Sequence, residues 1–121
     1  MGGVESRLQE VRQRIERAAT RAGRDPESVE IMAVTKTLDE SAVSEAVNAG
    51  IRLIGENRVQ EAIAKFPEQE RDYRLHLIGH LQRNKSKFVP GFFDCVESID
   101  KKQTALALEL HRSEKAKTID N

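Results

Sequence analysis

The sequence predicts an α/β protein in which helices cover a parallel sheet. Short apolar, β-branched segments recur about every 20 to 25 residues, and a segment with helical periodicity separates each from the next. Parallel strands require crossover connections of this kind, whereas antiparallel strands can be joined by a tight turn. The chain has 121 residues and no linker or low-complexity segment, so residues 1–121 are expected to form one domain.

Apolar periodicity and stop signals set the expected element boundaries. Four segments are predicted as strands: Val29–Thr35, Ile51–Ile54, Leu75–Ile78 and about residues 94–99. One helix is predicted before the first strand and one after each strand, with stops at Gly23, Gly50 and Pro67. The helix after the third strand is expected to be short, at about residues 81–89. Asp39 is expected to cap the second helix, and Asp100 with Gln103 forms a capping box for the last.

Composition excludes several classes of protein. Twenty basic residues balance twenty acidic ones, which argues against a nucleic-acid or membrane-surface partner. No apolar run approaches the roughly 18 residues of a membrane-spanning helix. Cys95 is the one cysteine, which is expected to be buried in the fourth strand. Because no intrachain disulfide can form and no secretory signal is apparent at the start, a cytoplasmic location is expected.

Polar side chains stand where the predicted strands end. Ligands of parallel α/β proteins bind at the carboxyl ends of strands, where this sequence places Lys36, Asn57, His80 and Ser98. A lysine at the end of an apolar strand is expected to be partly desolvated, which favours the neutral amine that forms a Schiff base with an aldehyde. Position alone is a weak signal, and by itself it favours a lysine that simply reaches solvent from the strand end.

A metal site is not expected. His76 and His80 are the only histidines near the strand ends, and an extended strand would hold them about 13 Å apart. One ion could not bridge that distance, unlike two histidines separated by one helical turn.

Three motifs occur in order along the chain: Ala33–Thr37, Gly55–Glu61, and His76–Gln82 followed by Asn84 and Lys85. With them the sequence resembles the pyridoxal phosphate homeostasis family. The resemblance implies the barrel of the alanine racemase N-terminal domain, a (β/α)8 TIM-barrel type. Members of the family are about twice as long as this chain. The resemblance therefore implies that this chain supplies the first four βα units of the barrel and a preceding helix. The loops expected to bind the cofactor phosphate, after strands seven and eight, would then lie in the other half.

The resemblance also implies a cofactor and its site. Lys36 matches the lysine that holds pyridoxal 5′-phosphate as a Schiff base, Asn57 and His80 match positions facing the cofactor, and Asn84 is a weaker match. The implied role is non-enzymatic cofactor homeostasis, with no catalytic residue. Two alternatives stay open: an amino-acid racemase on the same fold, and a half-barrel that self-associates or pairs with the second half without binding cofactor.

Overall fold

The computed structural model describes residues 3–36, 38–66 and 71–120, with only the backbone described for residues 115–120. The helices are α1 (Gly3–Arg21), α2 (Glu40–Asn48), α3 (Val59–Lys65) and α4 (Lys102–Asp120). The strands are β1 (Ala33–Val34), β2 (Leu53–Glu56), β3 (Arg74–Leu77) and β4 (Cys95–Val96). Two 3-10 helices, Pro26–Ser28 and Arg83–Phe88, complete the described secondary structure. The predicted α/β class is confirmed.

All four strands run parallel, and each pairs with the next one in the chain. The register aligns Val34 with Gly55, Gly55 with His76, and His76 with Cys95. Because the strands share one direction, their carboxyl ends lie along one edge of the sheet. That edge is where the sequence predicts the functional side chains.

One face of the sheet forms the core. Ile54, Leu75 and Leu77 have no exposed surface, and they pack with apolar side chains from the helices and connecting loops. Side chains alternate between the two faces of a strand, so Glu56, two residues after Ile54, also lies on this buried face. Glu56 is fully buried as well. The other face is more open, since the Val34 residue on it is 46% exposed.

Local signals fix α2 as the sequence predicts. The Asp39 carboxylate accepts hydrogen bonds from the backbone N–H groups of Ser41 and Ala42, at 3.1 and 3.3 Å. The Ser41 hydroxyl also donates to this carboxylate and is the main reason that the pKa of Asp39 is lowered. Gly50 follows the helix with φ of +100°, a conformation that favours glycine. The predicted cap and stop are both confirmed.

The two outer strands are shorter than predicted. Segment Val29–Thr35 contributes only Ala33–Val34 to the sheet, and residues 94–99 contribute only Cys95–Val96. Each outer strand pairs with one neighbour, so only the residues that reach that neighbour are held in the ladder. The expected burial of Cys95 is also wrong: the thiol is exposed, because β4 is an edge strand.

Two helical predictions need correction. The short helix predicted at about residues 81–89 is instead the 3-10 helix Arg83–Phe88. Its backbone hydrogen bonds join residues three positions apart, as when the Val89 N–H donates to the Ser86 carbonyl. The helix α4 begins at Lys102, and the predicted capping box of Asp100 and Gln103 does not form. The Asp100 carboxylate lies 3.4 Å from His80 Nδ1 instead. The helix α3 ends at Lys65, while Pro67 lies outside the described residues. No helix in the described ranges is long and apolar enough to cross a membrane.

Candidate functional site

The predicted positions follow the four strands at the carboxyl edge. Lys36, Asn57, His80 and Ser98 come one to three residues after the ends of β1, β2, β3 and β4, respectively. The Ser98 hydroxyl donates a hydrogen bond to the Gly79 carbonyl, joining the ends of β3 and β4. Gly79 in turn lies against the backbone after β2, since a Cβ added there would be 2.8 Å from Asn57 Cα. Close backbone contacts therefore fix the spacing of the strand ends.

A groove of about 460 Å³ opens between the loops after β2 and β3. Its lining includes Asn57 and His80 together with two basic side chains, Arg58 and Lys85. No carboxylate is among the described residues that line it. The groove therefore presents amide, imidazole and positively charged groups, which suit an anionic ligand. Asn84 is exposed on the 3-10 helix after β3 and lies outside this described lining.

Lys36 lies on a turn after β1, the strand beside β2, and is not among the described residues that line this groove. The turn is closed by a hydrogen bond from the Leu38 N–H to the Thr35 carbonyl, at 3.0 Å. Lys36 is exposed, so the predicted partial burial of this lysine is wrong. The physical reason is that β1 ends at Val34, which places Lys36 beyond the ladder. No described carboxylate pairs with its amine.

A buried ion pair lies next to the Lys36 turn. The ammonium of Lys65, whose side chain is 6% exposed, is 2.9 Å from Oε2 of the fully buried Glu56. The Thr35 hydroxyl donates to the same carboxylate oxygen. The Lys65 ammonium also donates to the carbonyls of Thr35 and Leu38, at 2.6 and 2.7 Å, and lies 3.5 Å from Glu61.

The roles of Glu56 and Lys65 were not predicted from the sequence. A signal for Glu56 was present, because it follows Ile54 by two residues and so shares the apolar face of the strand. A carboxylate on such a face needs a buried cationic partner or several hydrogen bonds. Lys65 had no comparable signal, since its contact with Thr35 spans 30 residues.

The histidines contact single carboxylates. His76 Nδ1 is 3.6 Å from Glu97, and His80 Nδ1 is 3.4 Å from Asp100. Across the described ranges, no group of three or more His, Cys, Asp or Glu residues has the geometry to hold a metal ion. The two histidines are thus in separate polar contacts.

The sequence is similar to those of several curated proteins. The pyridoxal phosphate homeostasis protein of Escherichia coli K12 is 40% identical over 116 residues, covering 93% of this chain and 50% of the relative. The chain is a homologue of the pyridoxal phosphate homeostasis proteins. The Vibrio alginolyticus protein of the same name is 36% identical, with 98% of this chain and 53% of the relative covered. The chain thus spans about half the length of these curated relatives. No family model matches it.

Solved structures agree with these homologies. PipY of Synechococcus elongatus with PLP bound is 39% identical, with a TM-score of 0.68 over 84% of this chain and 49% of PipY. An unknown protein from Bifidobacterium adolescentis is 32% identical, with a TM-score of 0.83 over 93% of this chain and 51% of that one. Both similarities are similarities of fold that cover most of this chain.

Proposed function

We propose that this chain binds pyridoxal 5′-phosphate through Lys36 and takes part in cofactor homeostasis as a binding protein, without turnover. The observation that carries the proposal is an exposed lysine at the carboxyl edge of the parallel sheet. The support from relatives is a PLP-bound structure at 39% identity and curated proteins named for pyridoxal phosphate homeostasis.

The residues present fit the cofactor. The Lys36 amine has no described ion-pair partner, so its lone pair is available once it loses a proton. Lys36 would hold the cofactor through the cofactor's aldehyde, where a Schiff base to the lysine nitrogen would form with release of one water molecule. Asn57 and His80 would provide polar contacts from the groove between the loops after β2 and β3, and the positive charges of Arg58 and Lys85 favour an anionic ligand there. Asn84 is the weakest assignment, because it is exposed outside the described lining.

We also propose that the sheet is the first half of an eight-stranded barrel of the alanine racemase type. The strands are adjacent in chain order, 1-2-3-4, as in a barrel, without the reversal that marks a doubly wound sheet. One face of the sheet is covered by helices, and the other carries the exposed Val34 and Cys95. That open face corresponds to the interior of the proposed barrel.

A second half would complete this arrangement. Among the described strands, β1 and β4 each have one neighbour, so the outer edge of each could pair with a further strand through its backbone N–H and C=O groups. Pairing with four more strands, or with a second copy of the chain, would cover both edges and the open face. We propose this association as a second role, tested by measuring the molar mass in solution with and without pyridoxal phosphate.

Mixing the purified chain with pyridoxal phosphate tests the cofactor proposal. We expect a visible absorbance band that borohydride removes, with the reduced cofactor located on the peptide that contains Lys36. The variant Lys36→Ala is expected to lack the band, whereas the matched control Lys102→Ala, at an exposed position on α4, keeps it. Labelling spread equally over surface lysines would refute the site. Racemisation of L-alanine by the loaded chain would refute the absence of turnover.

A further inference from the structure

The buried ion pair of Glu56 and Lys65 connects three elements of the fold. Glu56 lies at the end of β2, Lys65 in the last turn of α3, and Thr35 directly after β1. Lys65 Nζ is 2.9 Å from Glu56 Oε2, and the same oxygen accepts the Thr35 hydroxyl hydrogen. We refer to Thr35, Glu56 and Lys65 together as the clamp. One of its members, Thr35, directly precedes Lys36 in the chain.

Lys65 contacts both ends of the turn that carries Lys36. Its ammonium donates to the Thr35 carbonyl at 2.6 Å and to the Leu38 carbonyl at 2.7 Å. The turn itself is closed by the Leu38 N–H, which donates to the Thr35 carbonyl. An ammonium has three N–H donors, and these two carbonyls together with Glu56 are enough to use all three. The turn is therefore tied to α3 and, through Glu56, to β2.

Stability alone does not account for the clamp. A buried ion pair contributes little compared with apolar residues of similar volume, because both charges must leave water. In addition, Glu56 Oε1 is buried with no hydrogen-bond partner within the described part of the chain. An arrangement that is costly for folding, yet contacts the Lys36 turn at two carbonyls, points to a role in positioning.

We propose that Glu56 and Lys65 are positioning residues, which fix the turn from Thr35 to Leu38 and thereby hold Lys36 at the carboxyl edge of the sheet. The effect of the clamp on cofactor binding rests on the function proposed above for Lys36. The ordering of the turn by the clamp is a property of the chain alone, so it can be tested without cofactor.

Amide hydrogen exchange tests the ordering of the turn directly. In Lys65→Met the Leu38 amide is expected to exchange about tenfold faster or more, because the turn loses both bonds to the ammonium. The Ile78 amide, which donates to the Glu56 carbonyl in the sheet, serves as the internal reference and is expected to stay unchanged. Lys102→Met is the matched surface control. An unchanged Leu38 exchange rate in Lys65→Met would overturn the clamp.

The double variant Glu56→Gln/Lys65→Met separates positioning from folding, and it also covers the case in which Lys65→Met fails to fold. Because both charges of the buried pair are removed together, its unfolding midpoint is expected to lie near that of the unaltered chain. Its Leu38 exchange is expected to stay fast, and the reaction of Lys36 with pyridoxal phosphate to be roughly 10- to 100-fold slower. If the double variant keeps the wild-type Leu38 exchange rate and the wild-type rate of reaction of Lys36, the inference is overturned. If the unaltered chain fails to react with pyridoxal phosphate, the proposed function fails. The Leu38 exchange rate alone then decides whether the clamp orders the turn.

Discussion

Replacing Gly79 with alanine should disrupt the carboxyl edge of the sheet. The added Cβ would lie 2.8 Å from Cα and 2.9 Å from the carbonyl carbon of Asn57, and closer still to the carbonyl oxygen. These are backbone atoms, so relief requires the loops after β2 and β3 to separate. Overpacking typically costs about 1–3 kcal/mol, and we expect about 2–3 kcal/mol here because no side chain can move aside.

Gly55 provides a matched control on the same sheet. A Cβ there would meet the side-chain ends of Met32 and Ile78, with Ile78 Cδ1 at 3.2 Å, and a flexible thioether can adjust. We expect Gly55→Ala to cost about 1 kcal/mol or less. Urea unfolding followed by circular dichroism measures both variants. If Gly79→Ala is no less stable than Gly55→Ala, the close approach of the two loops is not as described.

Three further predictions concern single residues. Removing the cap in Asp39→Ala should lower the unfolding midpoint at pH 7. Because the pKa of Asp39 is lowered in the folded chain, this difference from the unaltered protein should shrink as the pH falls below about 4, measured by urea unfolding across pH. Burial raises the pKa of Tyr73, the one tyrosine of a chain without tryptophan, so its ultraviolet titration should have a midpoint above the ordinary value of about 10 and return to it in denaturant. Leu75→Ala removes a fully buried side chain and should cost about 2–5 kcal/mol, whereas Leu106→Ala, at a 60% exposed position, should change stability by about 0.5 kcal/mol or less in the same denaturant assay.

Local sequence signals identified the elements that depend on local physics. The β-branched segments marked all four strands, and the Asp39 carboxylate marked the start of α2 through hydrogen bonds to residues two and three positions away. The strand ends placed Lys36, Asn57 and His80 at one edge because parallel strands share a direction. The sequence therefore predicts where these elements and strand ends lie to within a few residues.

Features that depend on neighbours in space could not be obtained in this way. The length over which Val29–Thr35 pairs depends on how far it runs alongside β2. Only two of its residues, Ala33 and Val34, pair with that strand. Cys95 looks like a core residue within its segment, but the edge position of β4 exposes it. The bond from Thr35 to Glu56 spans 21 residues, so the clamp appears only once the strands are side by side.

Cofactor binding through Lys36 is tested most directly by locating the site of cofactor attachment. The chain would be incubated with pyridoxal phosphate, reduced with borohydride and analysed by mass spectrometry of its peptides, alongside Lys36→Ala and Lys102→Ala. We expect one modified lysine, Lys36, with no modification in Lys36→Ala and full modification in Lys102→Ala. Modification of a folded Lys36→Ala chain to the same extent as the unaltered chain would contradict it.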